Sequence, residues 1–98
     1  MNDELRGLID LDRVIHEPAR LLITAVLSTV ESADFLYLLH ATELTKGNLS
    51  SHLMRLEKAN YVTIEKVFEG KTPRTICRLT DVGRDAFEAY RKQLKAAI

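Results

Sequence analysis

Small hydrogen-bonding and basic side chains recur at helical spacing between residues 44 and 56. At about 100° per residue, Leu49, Leu53 and Leu56, together with Asn60, fall on one side of a helix. The other side carries the small, polar and basic residues Gly47, Asn48, Ser51, Arg55 and Lys58. Asparagine can hydrogen-bond an adenine edge, arginine a guanine or a phosphate, and serine either group. The segment therefore predicts a helix that lies in a DNA groove, although an ordinary solvated helix has a similar face.

Two residues at the start of this segment fit such a helix. Thr45 is placed to act as its N-cap, because a threonine hydroxyl accepts from the free N–H groups of the first turn. Gly47 costs about 1 kcal/mol relative to alanine inside a helix. A position without a side chain would let the helix approach a phosphate backbone closely, which gives a reason for tolerating that cost.

A β-hairpin with a basic tip is predicted downstream. Residues 61–68 are rich in β-branched side chains and roughly alternate in polarity, which predicts a strand, and residues 74–79 predict the returning strand. The residues between them predict a turn, whose tip would carry Lys71 and Arg74 around Thr72 and Pro73. A hairpin packed beside the polar helix would reach the flanking phosphates or the minor groove.

The elements around these two features complete a recognisable order. Pro18 opens a helix that runs to about Val30, and Asp34 caps a short helix after a break at residues 31–33. Thr80 is placed to cap a last helix over residues 81–97. The pattern predicts a mainly α (α+β) fold of one domain, 1–98. It is a winged helix-turn-helix, with the helix-turn-helix at about 34–60 and a two-stranded hairpin wing at about 61–79.

Charge is distributed unevenly along the 98 residues, although the formal net charge is zero. Residues 1–44 hold eight acids and three bases, whereas residues 45–78 hold seven bases and three acids. A basic middle beside an acidic part is a usable footprint for nucleic acid. Zero net charge is also compatible with a winged-helix module that binds protein and no DNA, and that alternative stays open.

Several other classes of function are disfavoured. The acidic, polar start and the lack of an apolar run near 20 residues predict a cytoplasmic protein without a membrane segment. The single Cys77 excludes an internal disulfide and is expected to be a small buried hydrophobe rather than a redox sensor. No cysteine or histidine pair has zinc spacing, so neither a metal nor another cofactor is expected. Without a nucleophile in a recognisable setting or a phosphate-binding loop, an enzyme is not expected.

Five stretches together resemble the small, single-domain winged helix-turn-helix transcriptional regulators of the MarR/ArsR type. They are residues 15–21, 44–53, 61–64, 68–75 and 79–84, and the resemblance covers about residues 11–92. It implies a homodimer that binds a roughly palindromic operator in double-stranded DNA and usually represses. The DNA-contacting positions that it implies are Thr45, Lys46, Asn48, Ser50, Ser51 and Arg55 in the helix, and Lys71, Thr72 and Arg74 in the wing.

The resemblance also implies that the dimer is joined largely through the N-terminal segment and the C-terminal helix. Apolar residues there are Leu5, Leu8, Phe87, Tyr90 and Leu94. The last three could belong to the core alone, but a dimer contact is the favoured interpretation.

Two departures from the family limit what carries over. The chain lacks the paired cysteines through which ArsR proteins often sense metal, and it is too short for the ligand-binding arrangement of longer MarR proteins. A small-molecule effector is therefore compatible with the sequence but not indicated by it. His52, near the edge of the apolar stripe, is expected to pack or to position a phosphate rather than to read a base.

Overall fold

The computed structural model describes residues 2–98, which form five helices and three strands. In chain order they are α1 (Asp3–Arg6), α2 (Pro18–Ser28), β1 (Ala33–Asp34), α3 (Phe35–Thr42), α4 (Lys46–Lys58), β2 (Val62–Glu69), β3 (Thr72–Leu79) and α5 (Asp81–Ala97). This is the predicted winged helix-turn-helix: α3 and α4 form the helix-turn-helix, and β2 and β3 form the wing.

Side-chain caps fix where the helices begin. The Thr45 hydroxyl accepts the Asn48 N–H at 3.2 Å, and an Asp34 carboxylate oxygen accepts the Tyr37 N–H at 2.7 Å. The Thr80 hydroxyl accepts the Gly83 N–H at 2.9 Å. These three caps confirm the predicted helix starts, because each satisfies a backbone donor that the first turn leaves free.

The sheet has one more strand than predicted. Its order is β1-β3-β2, all antiparallel, and β1 adds the pairs Ala33↔Cys77 and Asp34↔Ile76. The sequence predicted only a break at residues 31–33, since two residues are too few to show strand alternation. Through β1, the start of α3 is attached directly to the wing.

The wing turn is tighter than predicted. Glu69 pairs with Thr72, so only Gly70 and Lys71 form the turn, and Thr72 and Pro73 belong to β3 rather than to the loop. Gly70 has φ +65°, the backbone that the first position of a two-residue hairpin loop requires. Pro73 is tolerated in the strand because β1 ends before reaching it.

Helix α4 also ends earlier than expected. Its last helical residue is Lys58, and Asn60 adopts a left-handed conformation with φ +65°. Asn60 is therefore an exposed helix-ending residue and not part of the buried stripe, a correction to the sequence prediction. Asparagine tolerates this conformation better than most residues, so its position ends the helix.

Two hydrophobic clusters make up the interior. The larger one places the Leu49, Leu53 and Leu56 stripe of α4 against α2, α3 and the sheet. The smaller one joins Leu11 and Ile15 to Phe87 and Tyr90 of α5, with Leu94 packed at its edge. Within a single chain Phe87 and Tyr90 are therefore core residues, which is the alternative that the sequence had left open.

Candidate nucleic-acid interface

The outer face of α4 collects most of the residues that the sequence singled out. Its leucine stripe is buried, whereas the side chains opposite and beside that stripe are exposed to solvent. The exposed residues are Thr45, Lys46, Gly47, Asn48, Ser50, Ser51, Arg55 and Lys58. The Thr45 hydroxyl already accepts the Asn48 N–H, so only its remaining lone pair and its proton are free for a ligand.

The turn before α4 sets the direction of this face. Glu43 ends α3 in a left-handed conformation, φ +56°, and its N–H donates to the Leu39 carbonyl at 3.1 Å. The buried Thr42 donates its hydroxyl to the Leu38 carbonyl at 2.7 Å. This compact turn fixes α4 against α3, so the polar face has a defined orientation.

A polar cluster ties α4 to the start of α2. Nδ1 of His52 lies 3.2 Å from Oε2 of Glu17 and 3.1 Å from Nη1 of Arg20. The buried Arg20 also donates from Nε to the Val14 carbonyl at 2.6 Å. His52 therefore packs against Glu17 and Arg20, which is one of the two roles expected for it, and Arg20 also pairs with Glu17 at 3.3 Å.

At the wing, Lys71 occupies the turn and is exposed, and Thr72 is exposed on the first residue of β3. Arg74 is placed differently from the prediction. It lies within β3 opposite Val67, and its guanidinium pairs with the carboxylates of Asp34 and Glu69. The predicted position of Arg74 at the wing tip is thus corrected, because two acids offset its charge and hold it within β3, and its contact with DNA stays a prediction.

The same ion pairs connect the wing to the helix-turn-helix. Asp34 caps α3 and pairs with Arg74 of β3, so one carboxylate links both units. The Tyr37 backbone N–H, followed by the hydrogen bond and charge of Arg74, lowers the pKa of Asp34 below its usual 3.8. The hydrogen bonds and charges of Glu69 and then Asp34 raise the pKa of Arg74. Arg74 is therefore suited to position the wing.

Asp34 provides a pH-dependent test of this link. Its folded pKa is lowered, so its stabilising effect is present above the unfolded pKa and is lost as pH falls through the folded pKa. We expect Asp34→Ala to lower the free energy of unfolding by about 1 kcal/mol at pH 7 through loss of the cap. Asp34→Asn keeps a capping oxygen and should cost less. Urea unfolding at pH 7 and below pH 4 measures the free energy of unfolding of both variants, and their losses should shrink at the lower pH. Equal losses in both variants at pH 7 would contradict the cap assignment.

Cys77 is fully buried in the middle strand, between Ala33 and Ile64 in the strand register. Burial, with smaller contributions from the charges of Glu57 and Asp34, raises the pKa of its thiol to about 11. The thiolate is the reactive form, and the folded protein holds almost none of it at neutral pH. The geometry therefore agrees with the expected structural role.

We accordingly predict that Cys77 does not react with a chromogenic disulfide reagent at pH 7 within minutes while the protein is folded. The same protein in 8 M urea should, as a matched control, react at the rate of a model thiol, roughly 10-fold or more faster. Rapid labelling of the folded chain would show that the strand opens readily and would return redox sensing to consideration.

Four cations remain available on the face formed by α4 and the wing: Lys46, Arg55, Lys58 and Lys71. Within residues 2–98, none of the ion pairs found engages them. The described residues also contain no group of three or more His, Cys, Asp or Glu side chains that could hold a metal. Over the same range, no helix combines the length and apolar character that a membrane crossing requires.

Sequence reasoning missed one residue of this face. Met54 is 64% exposed and helps to line a shallow surface depression of about 640 Å³ with Gly47, Ser51 and Arg55. Its helical position away from the leucine stripe was the available signal, but an apolar side chain carries none of the hydrogen-bonding groups by which the sequence marked this face.

A short helix packed on a second helix with an exposed polar face, followed by a hairpin with a basic turn, defines a winged helix-turn-helix protein. The chain belongs to the winged helix DNA-binding domain family, which matches residues 19–98. This family is a non-enzymatic DNA-binding fold, which confirms the prediction that the chain is not an enzyme.

Similar proteins support this family assignment. An uncharacterised protein of Methanocaldococcus jannaschii is 37% identical over 79 residues, which cover 80% of this chain and 85% of the relative. The structure of a transcriptional regulator homologue from Pyrococcus horikoshii superimposes with a TM-score of 0.88 at 32% identity, covering 97% of this chain and 93% of that one. The winged helix assignment is therefore supported over nearly the whole chain, and one protein of similar structure is a transcriptional regulator homologue.

Two more distant structures share the fold. A protein of Enterococcus faecalis assigned to the MarR family of transcriptional regulators has a TM-score of 0.77 at 21% identity, covering 97% of this chain and 86% of that one. The transcriptional repressor CouR, bound to a 23-mer DNA duplex, has a TM-score of 0.75 at 16% identity. The alignment covers 95% of this chain but 63% of CouR. At these identities the two structures show a shared fold, which agrees with the winged helix-turn-helix that the sequence predicted.

Proposed function

We propose that the protein is a sequence-specific repressor that binds a pseudo-palindromic operator as a homodimer. The observation that carries the proposal is the outer face of α4, where Asn48, Ser51 and Arg55 are exposed around a buried leucine stripe. These side chains offer the donors and acceptors that base edges in the major groove require. CouR, a repressor of the same fold, is bound to a DNA duplex, which supports DNA binding by this fold. Action on the genome would place the protein in the cytoplasm.

A homodimer would explain apolar surface at the N-terminal end. Leu5, Leu8 and Ile9 are 47%, 38% and 65% exposed, and α1 packs against α5. Leu94 is half-buried at the edge of the smaller cluster, whereas Phe87 and Tyr90 would act only by supporting α5 from within. A second copy would cover these side chains and separate the two copies of α4, the proposed recognition helices, by about 34 Å, one turn of DNA.

Sedimentation equilibrium tests the dimer directly. The unsubstituted protein should sediment as a dimer, and Leu8→Glu should shift it toward the monomer by placing a charge in the contact. Glu65→Lys, a charge change at an exposed residue of β2 outside the proposed contact, is the control. A monomer at all concentrations would contradict the proposal.

Selection of binding sites from random duplex DNA at about 0.15 M salt tests the function itself. The proposal predicts an enriched inverted repeat with half-site centres about 10 base pairs apart. Placing that repeat over a promoter should lower transcription in a purified system. No enrichment, together with no salt-sensitive binding to bulk DNA, would favour the alternative of a protein-binding winged helix.

The wing supplies a quantitative prediction for Lys71. A lysine that neutralises one phosphate releases counterions, so Lys71→Ala should weaken binding to all sequences alike. The slope of log affinity against log salt should fall by about one. Fluorescence anisotropy between 50 and 300 mM salt measures this slope, with Lys92→Ala on α5 as the control for net charge. A loss confined to one operator sequence would contradict the phosphate role.

A further inference from the structure

Met54 is the most exposed large apolar side chain of α4. It is 64% exposed, although the adjacent Leu53 and the nearby Leu56 are 2% and 0% exposed. At about 100° per residue, Met54 points roughly 130° away from the leucine stripe around the helix axis. It belongs to neither hydrophobic cluster, so burial within this chain does not explain its position.

The residues near Met54 on this face of α4 have small side chains or none. Gly47 and Ser51 lie toward the N-terminus on the same face, and a Cβ built at Gly47 would meet no atom within 4 Å. The surface there is a shallow depression with Met54 at its side and Arg55 beside it. This side of the helix can enter a groove deeply, because the residues N-terminal to Met54 that line the depression, Gly47, Ser50 and Ser51, are small.

The major groove presents one apolar group among its polar edges, the C5 methyl of thymine. A methionine side chain is unbranched, flexible and polarisable, and it carries no hydrogen-bond donor. It therefore suits a methyl group better than it suits the amino or carbonyl groups of the other edges. Arg55 beside it can contact a guanine or a phosphate at the same time.

We propose that Met54 is a specificity-determining residue that contacts the methyl group of a thymine in each operator half-site. The inference rests on the proposed function, because it requires α4 to lie in the major groove. It adds an apolar contact to a face that is otherwise assigned to hydrogen bonds and phosphates.

Replacing thymines of the selected operator by deoxyuridine, one at a time, tests the contact. Deoxyuridine removes only the methyl group and keeps Watson–Crick pairing. At one position in each half-site the unsubstituted protein should lose about fourfold in affinity, the value that about 0.8 kcal/mol for one buried carbon group gives. Met54→Ala should bind the thymine operator more weakly by a similar factor and should not respond to deoxyuridine at that position.

Controls separate this contact from general effects. Met54→Leu keeps an apolar side chain and should retain most of the response to deoxyuridine, and urea unfolding verifies that each variant is folded. An operator that binds normally but is indifferent to every deoxyuridine substitution overturns the role of Met54 alone. The same holds if Met54→Ala keeps the full response. Failure of the unsubstituted protein to select any operator overturns the proposed function and this inference together.

Discussion

Replacing Gly83 by alanine is expected to lower the free energy of unfolding by about 2–3 kcal/mol, the upper part of the usual effect of forcing an extra carbon into a packed site. A Cβ at this position would lie 2.2 Å from the Tyr61 carbonyl oxygen and 2.9 Å from its carbonyl carbon. Both are backbone atoms and cannot rotate away. The Tyr61 carbonyl is also held in place by a hydrogen bond, because the Thr80 N–H donates to its oxygen at 3.0 Å.

Gly47→Ala is the matched control for this prediction. Alanine favours a helix over glycine by up to about 1 kcal/mol at either site, so helix propensity alone would stabilise both variants. A Cβ at Gly47 meets open space, and that variant should be as stable as the unsubstituted protein or more so. If close packing decides the outcome at Gly83, urea unfolding should show a lower free energy of unfolding for Gly83→Ala and an equal or higher one for Gly47→Ala. A Gly83→Ala protein within 0.5 kcal/mol of the unsubstituted one would contradict the packing argument.

The role of Gly83 also shows where sequence reasoning reached its limit. The sequence predicted Thr80 as the cap of α5, because capping depends on residues three positions apart. It could not predict that the first turn of α5 lies against Tyr61, since this contact joins residues 22 positions apart in the chain. Local patterns specify helices and their ends, whereas the approach of one backbone to another depends on the whole fold.

The candidate site likewise has one part that local sequence patterns predict and one part that depends on long-range contacts. The polar face of α4 could be predicted because burial of Leu49, Leu53 and Leu56 leaves only one orientation for the residues opposite them. Arg74 could not be placed correctly, because its partner Asp34 lies 40 positions earlier and reaches it through the unpredicted strand β1. The basic charge counted along the sequence therefore overstated the free charge on the wing.

These contacts suggest why the interface can be precise on a domain of this size. The recognition helix is held by its buried leucines and by the Glu17–Arg20–His52 cluster, and the wing is held by Asp34. Helix α4 and the wing are thus attached to α2 and α3, directly or through β1. A site carried on rigid elements keeps its geometry better than one carried on loops.

Arg55→Ala is expected to weaken operator binding by about 1–3 kcal/mol, roughly 5-fold to 150-fold in the dissociation constant. Arg55 is exposed on the last two turns of α4, and none of the ion pairs found within residues 2–98 engages it. Its guanidinium can therefore form two parallel hydrogen bonds with a guanine edge without first giving up an internal partner. Fluorescence anisotropy with the selected operator measures the loss.

Two further variants decide what Arg55 contacts. Arg91→Ala removes the same charge from the exposed surface of α5 and should leave operator affinity nearly unchanged. Arg55→Lys keeps the charge but loses the planar pair of donors, so it should bind bulk DNA normally and the operator weakly if Arg55 reads a base. A lysine variant that restores operator binding fully would instead assign Arg55 to a phosphate. Unchanged affinity in Arg55→Ala would contradict the docking of α4 in the groove, because this residue then could not face the DNA.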